Sequence, residues 1–164
     1  MKLVVAKFGG SAIGIDGVSI PLIIDRINDL KKDSKIIAVF SAPLTTQNGK
    51  KCSLTDVILE QGRSVEKGTK ATLDTVKSCY QKILELVNSE NKEDCQKIID
   101  LFLKKAEKAL EEALEKKEFA EEIRSRSLAF SGEILMSHVM NYILKSNGIK
   151  TDAVSYDDWP IITD

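Results

Sequence analysis

Two short apolar runs frame the start of the chain. Leu3-Val4-Val5-Ala6 runs into Gly9-Gly10, and Ile36-Ile37-Ala38-Val39-Phe40 runs into Ser41-Ala42-Pro43. Continuous apolar runs of this length, with β-branched residues and a turn-forming stop, predict strands over residues 2–8 and 35–41, buried on both faces. Between them Val18, Ile20, Leu22, Ile23, Ile27 and Leu30 recur close to one helical face, which predicts a helix over 17–32. Pro21 falls in its first turn, where a missing N–H does no harm, and Lys31-Lys32 complement the dipole at its far end. Strand, helix and strand in this order form a βαβ unit, a parallel pair joined by a right-handed crossover.

The pattern then changes. Thr45-Thr46-Gln47-Asn48-Gly49-Lys50-Lys51 is polar and reads as a loop, with Asn48-Gly49 as its turn. From Leu54 to Asn147 the chain is almost entirely helix-forming, and no proline lies between Pro43 and Pro160. Ser89-Glu90-Asn91 divides two helices, and residues 94–118 predict one long helix with Ile98, Leu101, Phe102, Ala109 and Ala113 along its stripe. A further helix is expected over 127–147, closed at Asn147-Gly148, since glycine readily takes the left-handed cap. A third strand is expected over 149–155, before a loop containing Tyr156, Asp157, Asp158 and Trp159.

Composition narrows the class. The 164 residues allow about one domain, and 43% hydrophobic content suffices for a packed core. A net charge of −1 and 5% aromatic residues give no basic or stacking surface for nucleic acid. No apolar run approaches the ~20 residues of a membrane span, and the first residues are too short an apolar stretch for a signal peptide. A soluble, cytoplasmic protein is expected. The stretch 104–126 is densely charged with balanced signs, as on a solvated helix side laced with i,i+4 pairs. Cys52, Cys79 and Cys95 form neither a disulfide framework nor a zinc pair, and His138, alone in an apolar run, reads as a packing residue. No metal site is expected.

Lys7-Phe8-Gly9-Gly10-Ser11 holds the candidate chemistry. It lies just past a strand end, where parallel sheets bind ligands. Gly9 and Gly10 permit close backbone approach and N–H groups turned toward an anion, while Lys7 adds a mobile positive charge and Ser11 a hydroxyl. Such parts suit phosphoryl transfer, which depends mostly on positioning and charge stabilisation.

These residues resemble the Lys-Phe-Gly-Gly-Thr/Ser signature of aspartate kinases, within the amino acid kinase superfamily. Val39-Phe40-Ser41-Ala42 resembles the family's Val-Ser-Ala. Ser53-Leu54-Thr55-Asp56 resembles its Gly-Val-Thr-Asn, displaced by an insertion from about Pro43 to Cys52. Asp56 stands where asparagine is usual, and Thr45-Thr46 is a competing placement for the family threonine. Ser131-Gly132-Glu133-Ile134-Leu135 resembles the family's Gly-Glu segment, and Trp159-Pro160-Ile161-Ile162-Thr163-Asp164 its Gly-Ile-x-Thr-Asp/Glu, with proline for glycine.

The resemblance implies an α/β fold: a three-layer αβα sandwich with a mostly parallel sheet, incomplete toward the C-terminus, with a large helical insertion at about 54–126. Residues 1–164 are then the N-terminal, amino-acid-binding part of a kinase domain, without the nucleotide-binding part or regulatory ACT domains. It implies transfer of the ATP γ-phosphate to the side-chain carboxylate of L-aspartate, the first step toward lysine, threonine and methionine. Lys7 is then catalytic, Gly9, Gly10 and Ser11 bind phosphate, and Ser41, Thr55 and Glu133 bind the amino acid. ATP and Mg²⁺ make their main contacts elsewhere, and the chain alone is expected to be inactive. Homo-oligomers are implied, and self-association is expected from exposed strand edges. Two other readings stand beside this one: another amino acid kinase, of acetylglutamate or glutamate type, or a non-catalytic helical interaction module.

Overall fold

A computed structural model describes residues 2–154. Strand β1 (Lys2–Phe8) and strand β2 (Ser34–Phe40) pair in parallel, in register from Lys2 opposite Ser34 to Phe8 opposite Phe40. Helix α1 (Gly10–Ile13) and helix α2 (Ile20–Lys31) connect them, with Pro21 in the first turn of α2. The βαβ unit is therefore present, and both strands end side by side at a stacked Phe8–Phe40 pair, centroids 5.5 Å apart.

The strands are not buried on both faces. Phe8 and Phe40 are buried, and Ala6, Ile36 and Ala38 pack against the core. The alternate residues Leu3, Val5, Ile37 and Val39 are 59%, 66%, 42% and 39% exposed. Side chains alternate across a strand, so a two-stranded sheet with one covered face leaves every second residue open. The three-layer sandwich is accordingly not seen among the described residues: one layer lies against the sheet, and its other face is bare.

The polar stretch after β2 is a hairpin rather than a loop. Strand β3 (Leu44–Gln47) pairs antiparallel with strand β4 (Lys50–Ser53) around Asn48-Gly49. Both turn residues take positive φ, 52° and 74°, the conformation of a two-residue hairpin turn that Asn-Gly favours. The turn signal held, but the flanking residues lacked the apolar alternation that marks a strand.

Five helices follow: α3 (Leu54–Glu66), α4 (Asp74–Leu84), α5 (Ser89–Lys116), α6 (Glu121–Ser131) and α7 (Glu133–Ser146). The division expected at Ser89-Glu90-Asn91 lies slightly earlier. Asn88 caps α5, its side-chain oxygen accepting the Asn91 N–H at 3.1 Å, so the helix begins at Ser89. The buried stripe of α5 is Cys95, Ile99, Phe102, Leu103, Ala106, Ala109, Leu110 and Ala113. Leu101 is 48% exposed and lies off it, a correction to the expected stripe. The helix expected over 127–147 is two helices, broken at Gly132, where φ is −121° and ψ −103°. Its C-terminal end is as expected, with Gly148 at φ 71°.

Residues 149–154 are not a strand: among the described residues no strand pairs with them. The expected Trp159–Asp164 element lies outside the described residues.

One main core joins the inner sheet face to α2, α3, α4, α5 and α7. Tyr80, Ile83, Ile99, Leu135, Met136 and Met140 are fully buried in it, each contributing roughly 1.5–3 kcal/mol on transfer from water. His138 packs on Phe102 at 4.9 Å between ring centroids, as a half-buried packing residue. Burial, followed by nearby Lys105, holds its imidazole below the usual range. The charged face of α5 and α6 carries the expected pairs, including Glu112–Lys116 and Glu122–Arg126 at four-residue spacing. No described helix is long and apolar enough to cross a membrane.

Candidate active site at the ends of the parallel strands

Ser41-Ala42-Pro43, just past β2, is where the separate segments meet. The Ser41 N–H donates to the Phe8 carbonyl at 3.0 Å, extending the pairing one residue beyond the strands. The Leu54 N–H donates to the Pro43 carbonyl at 3.2 Å, which sets the start of α3 against the same segment. A β-carbon on Gly10 would stand 2.7 Å from the Ala42 carbonyl oxygen. One on Gly132 would stand 2.7 Å from the Leu128 carbonyl oxygen and 3.1 Å from the Ala42 β-carbon. Glycine at both positions is thus what lets the first turn and the α6–α7 break close on Ala42.

Each residue singled out from the sequence can be placed. Lys7 is exposed, on the bare sheet face beside the strand end, and no described residue pairs with it. Gly9 caps α1 in an ordinary extended conformation, its carbonyl accepting the Ala12 and Ile13 N–H groups at 2.9 and 3.1 Å. Ser11 is exposed on the first turn of α1, Ser41 is half-buried, and Glu133 is exposed as the first residue of α7. Thr55 is exposed on the first turn of α3.

The Asp56 that replaces the expected asparagine has a local role. It forms a capping box with Ser53: the Ser53 hydroxyl accepts the Asp56 N–H at 3.0 Å, and the carboxylate accepts the Ser53 N–H at 3.3 Å. The competing threonine, Thr45, is buried, and its hydroxyl donates to Asp16 Oδ1 at 2.7 Å. Thr45 is thereby committed to the scaffold, whereas Thr55 stands open.

Two groups escaped the sequence reading. Tyr80, fully buried on α4, directs its hydroxyl to the carbonyls of Ser131 and Gly132, each at 3.1 Å. It stabilises the break that sets the start of α7, and burial pushes its phenol well above the usual range. Tyr80→Phe leaves the Ser131 carbonyl buried without this partner, while the Gly132 carbonyl keeps the Met136 N–H at 2.8 Å, so a loss of about 1–3 kcal/mol is expected in urea unfolding. Nothing local signalled it: a tyrosine at a helix-spaced core position looks like any other aromatic.

The second group is Asp16, between Gly14 and Gly17. Its carboxylate accepts Thr45 Oγ1 at 2.7 Å and Lys82 Nζ at 2.6 Å, and its N–H donates to the Leu44 carbonyl at 2.7 Å. Burial raises its pKa, but the Lys82 and Thr45 hydrogen bonds outweigh that and hold it below 3.8. The glycine–aspartate turn was visible in the sequence. Its partners, 29 and 66 residues away, were not.

Cys79 and Cys95 are buried free thiols, and Cys95 is pushed by burial up to about 12, which leaves it inert. Two clefts, of about 450 and 390 Å³, lie on the helical side, one around Lys70–Lys77 and α5, the other between α5 and α6. Neither includes a residue of the strand-end cluster. Among the described residues no group of three or more His, Cys, Asp or Glu could hold a metal ion.

A model described as the amino acid kinase family matches residues 2–161. No curated protein matches the chain.

Proposed function

The chain belongs to the amino acid kinase family, and we propose that it supplies the acceptor side of an ATP-dependent kinase acting on the side-chain carboxylate of L-aspartate. The observation that supports this most is Gly9. Its φ of −73° is open to any residue, and among the described residues no atom lies within 4 Å of where its β-carbon would be. Neither backbone nor neighbours require glycine there, so the close approach of a ligand is the reason that remains.

In this reading an aspartate carboxylate oxygen attacks the γ-phosphorus, the bond to the bridging oxygen breaks, and ADP leaves with that electron pair. Lys7 stabilises the charge on the transferring group, and Gly9, Gly10 and Ser11 offer N–H and hydroxyl donors to its oxygens. Ser41 and Thr55 line the amino-acid side, and the Glu133 carboxylate pairs with the α-ammonium. The described residues do not suit Mg²⁺, so no step is assigned to it here. The metal and most of the nucleotide contacts belong to sequence outside these residues, and homo-oligomers and a cytoplasmic setting are part of the same proposal.

Aspartate is chosen on Phe8 before the double glycine, and another amino acid kinase is equally compatible with the family. ADP release measured with aspartate, N-acetylglutamate and glutamate separates these. The expected result is turnover on aspartate by a protein carrying these residues with a nucleotide-binding part, and none by the 164 residues alone. Turnover only on another acceptor overturns the substrate, and turnover by the short chain overturns the division of labour.

A further inference from the structure

We propose that Asp16 is the positioning residue of the glycine turn, holding Gly9-Gly10-Ser11 in place through Thr45 on the hairpin and Lys82 on α4. The proposal deepens the phosphoryl-binding role given to that turn above and rests on it.

Helix α1 has four residues, too few to be stable by its own hydrogen bonds. Its N-terminal side is tied to the sheet, and Gly10 is pressed on Ala42. Its C-terminal side runs into a loop in which Gly14, Asp16 and Gly17 all take positive φ, 82°, 51° and 81°. For a non-glycine residue the left-handed conformation is unfavourable and must be held by its surroundings. Asp16 is the only side chain among these three able to hold it.

Three contacts converge there. The N–H anchors to the Leu44 carbonyl, Oδ1 accepts the buried Thr45 hydroxyl, and Oδ2 accepts the Lys82 ammonium. The aspartate side chain is only 14% exposed, whereas Lys82 is 58% exposed and reaches in from solvent. Leu44, the residue to which Asp16 is tied, also lies within 3.5 Å of the Gly10 β-position. Two hydrogen bonds thus link α4 to Asp16 and Asp16 to Leu44, and the Leu44 side chain lies beside Gly10. Asp16 touches no reacting atom, and its part is to fix the orientation of the turn's donors.

The test combines amide exchange and pyrophosphate titration, both followed by NMR, on the wild-type chain, Asp16→Asn, Lys82→Met and the double variant. Asp16→Asn is expected to speed exchange of the Ala12, Ile13 and Gly14 amides by about tenfold relative to Ala106 in α5, as a charge-assisted contact is lost. Lys82→Met is expected to give a smaller rise, and the double variant no more than Asp16→Asn alone. Unchanged turn exchange in Asp16→Asn, or full additivity of the two changes, overturns the proposal. Lys82→Met, changed at an exposed side chain, keeps the test decisive if Asp16→Asn does not fold: unchanged turn exchange in that variant overturns it equally. Pyrophosphate is expected to shift the Gly9, Gly10 and Ser11 amides of the wild type, and to do so several-fold more weakly in Asp16→Asn. Equal binding by both overturns the positioning role. Wild-type amides that ignore pyrophosphate overturn the phosphoryl-binding reading, and exchange at Ala12–Gly14 still decides the anchor.

Discussion

Replacing Lys7 with alanine is expected to lower kcat by about 10²–10³-fold in a protein that carries these residues with a nucleotide-binding part, as for loss of one preorganised charge-stabilising donor. The reason lies in where charge develops. During phosphoryl transfer negative charge spreads over the transferring oxygens, and an ammonium brought beside them lowers the barrier more than it strengthens ground-state binding. The loss therefore falls mainly on kcat, with KM for the amino acid little changed. Lys7 is exposed and pairs with no described residue, so unfolding free energy should stay within about 0.5 kcal/mol of wild type. Steady-state kinetics beside a urea unfolding curve checks both parts. Turnover unchanged by Lys7→Ala would instead favour the helical interaction surface as the working part of the chain.

The second large effect is on the fold. Gly132→Ala puts a β-carbon 2.7 Å from the Leu128 carbonyl oxygen and 3.1 Å from the Ala42 β-carbon. Neither neighbour is the free end of a flexible side chain. The Leu128 carbonyl belongs to the last turns of α6, and Ala42 is held from the other side by Gly10. A cost of about 1–3 kcal/mol is expected, as for overpacking in a close-packed interior. Gly10→Ala, 2.7 Å from the Ala42 carbonyl oxygen, should cost a similar amount. Both substitutions displace the same residue, so the double variant should lose less than the sum. Gly9→Ala is the control: with no described atom within 4 Å it should stay within about 0.5 kcal/mol. Urea unfolding midpoints of the four variants read this directly. A Gly9→Ala cost equal to that of Gly10→Ala would mean that the turn is held by its conformation and not by contact with Ala42.

Much of the element pattern was legible. The two apolar runs became β1 and β2, Pro21 marks the start of α2, and Asn48-Gly49 and Gly148 turn where such residues should. These are local matters, decided by side-chain shape and backbone freedom over a few residues. The errors had different sources. A polar hairpin lacks apolar alternation and passes for a loop, while the α6–α7 break passes for continuous helix because its cause lies in contacts far along the chain. The burial of β1 and β2 was misjudged because an apolar run does not say whether both faces find partners.

The candidate site divides in the same way. Lys7, Gly9, Gly10, Ser11, Ser41, Thr55 and Glu133 were each visible as residues of suitable chemistry in suggestive order. The approach of the segments that carry them was not, because it depends on Ala42 lying against Gly10 and Gly132 and on Pro43 meeting Leu54. By itself the sequence determined the βαβ start, the helical remainder, the glycine turn and membership of the amino acid kinase family, all written in local pattern and motif order. Only the tertiary structure decided that the Gly9-Gly10 turn, Ser41-Ala42-Pro43 and the α6–α7 break meet at one end of the sheet, that Thr45 is bonded to Asp16 and Thr55 left exposed, and that Tyr80 bonds the α6–α7 break. Packing and buried hydrogen bonds join residues tens of positions apart, and such pairings have no period for a single sequence to display.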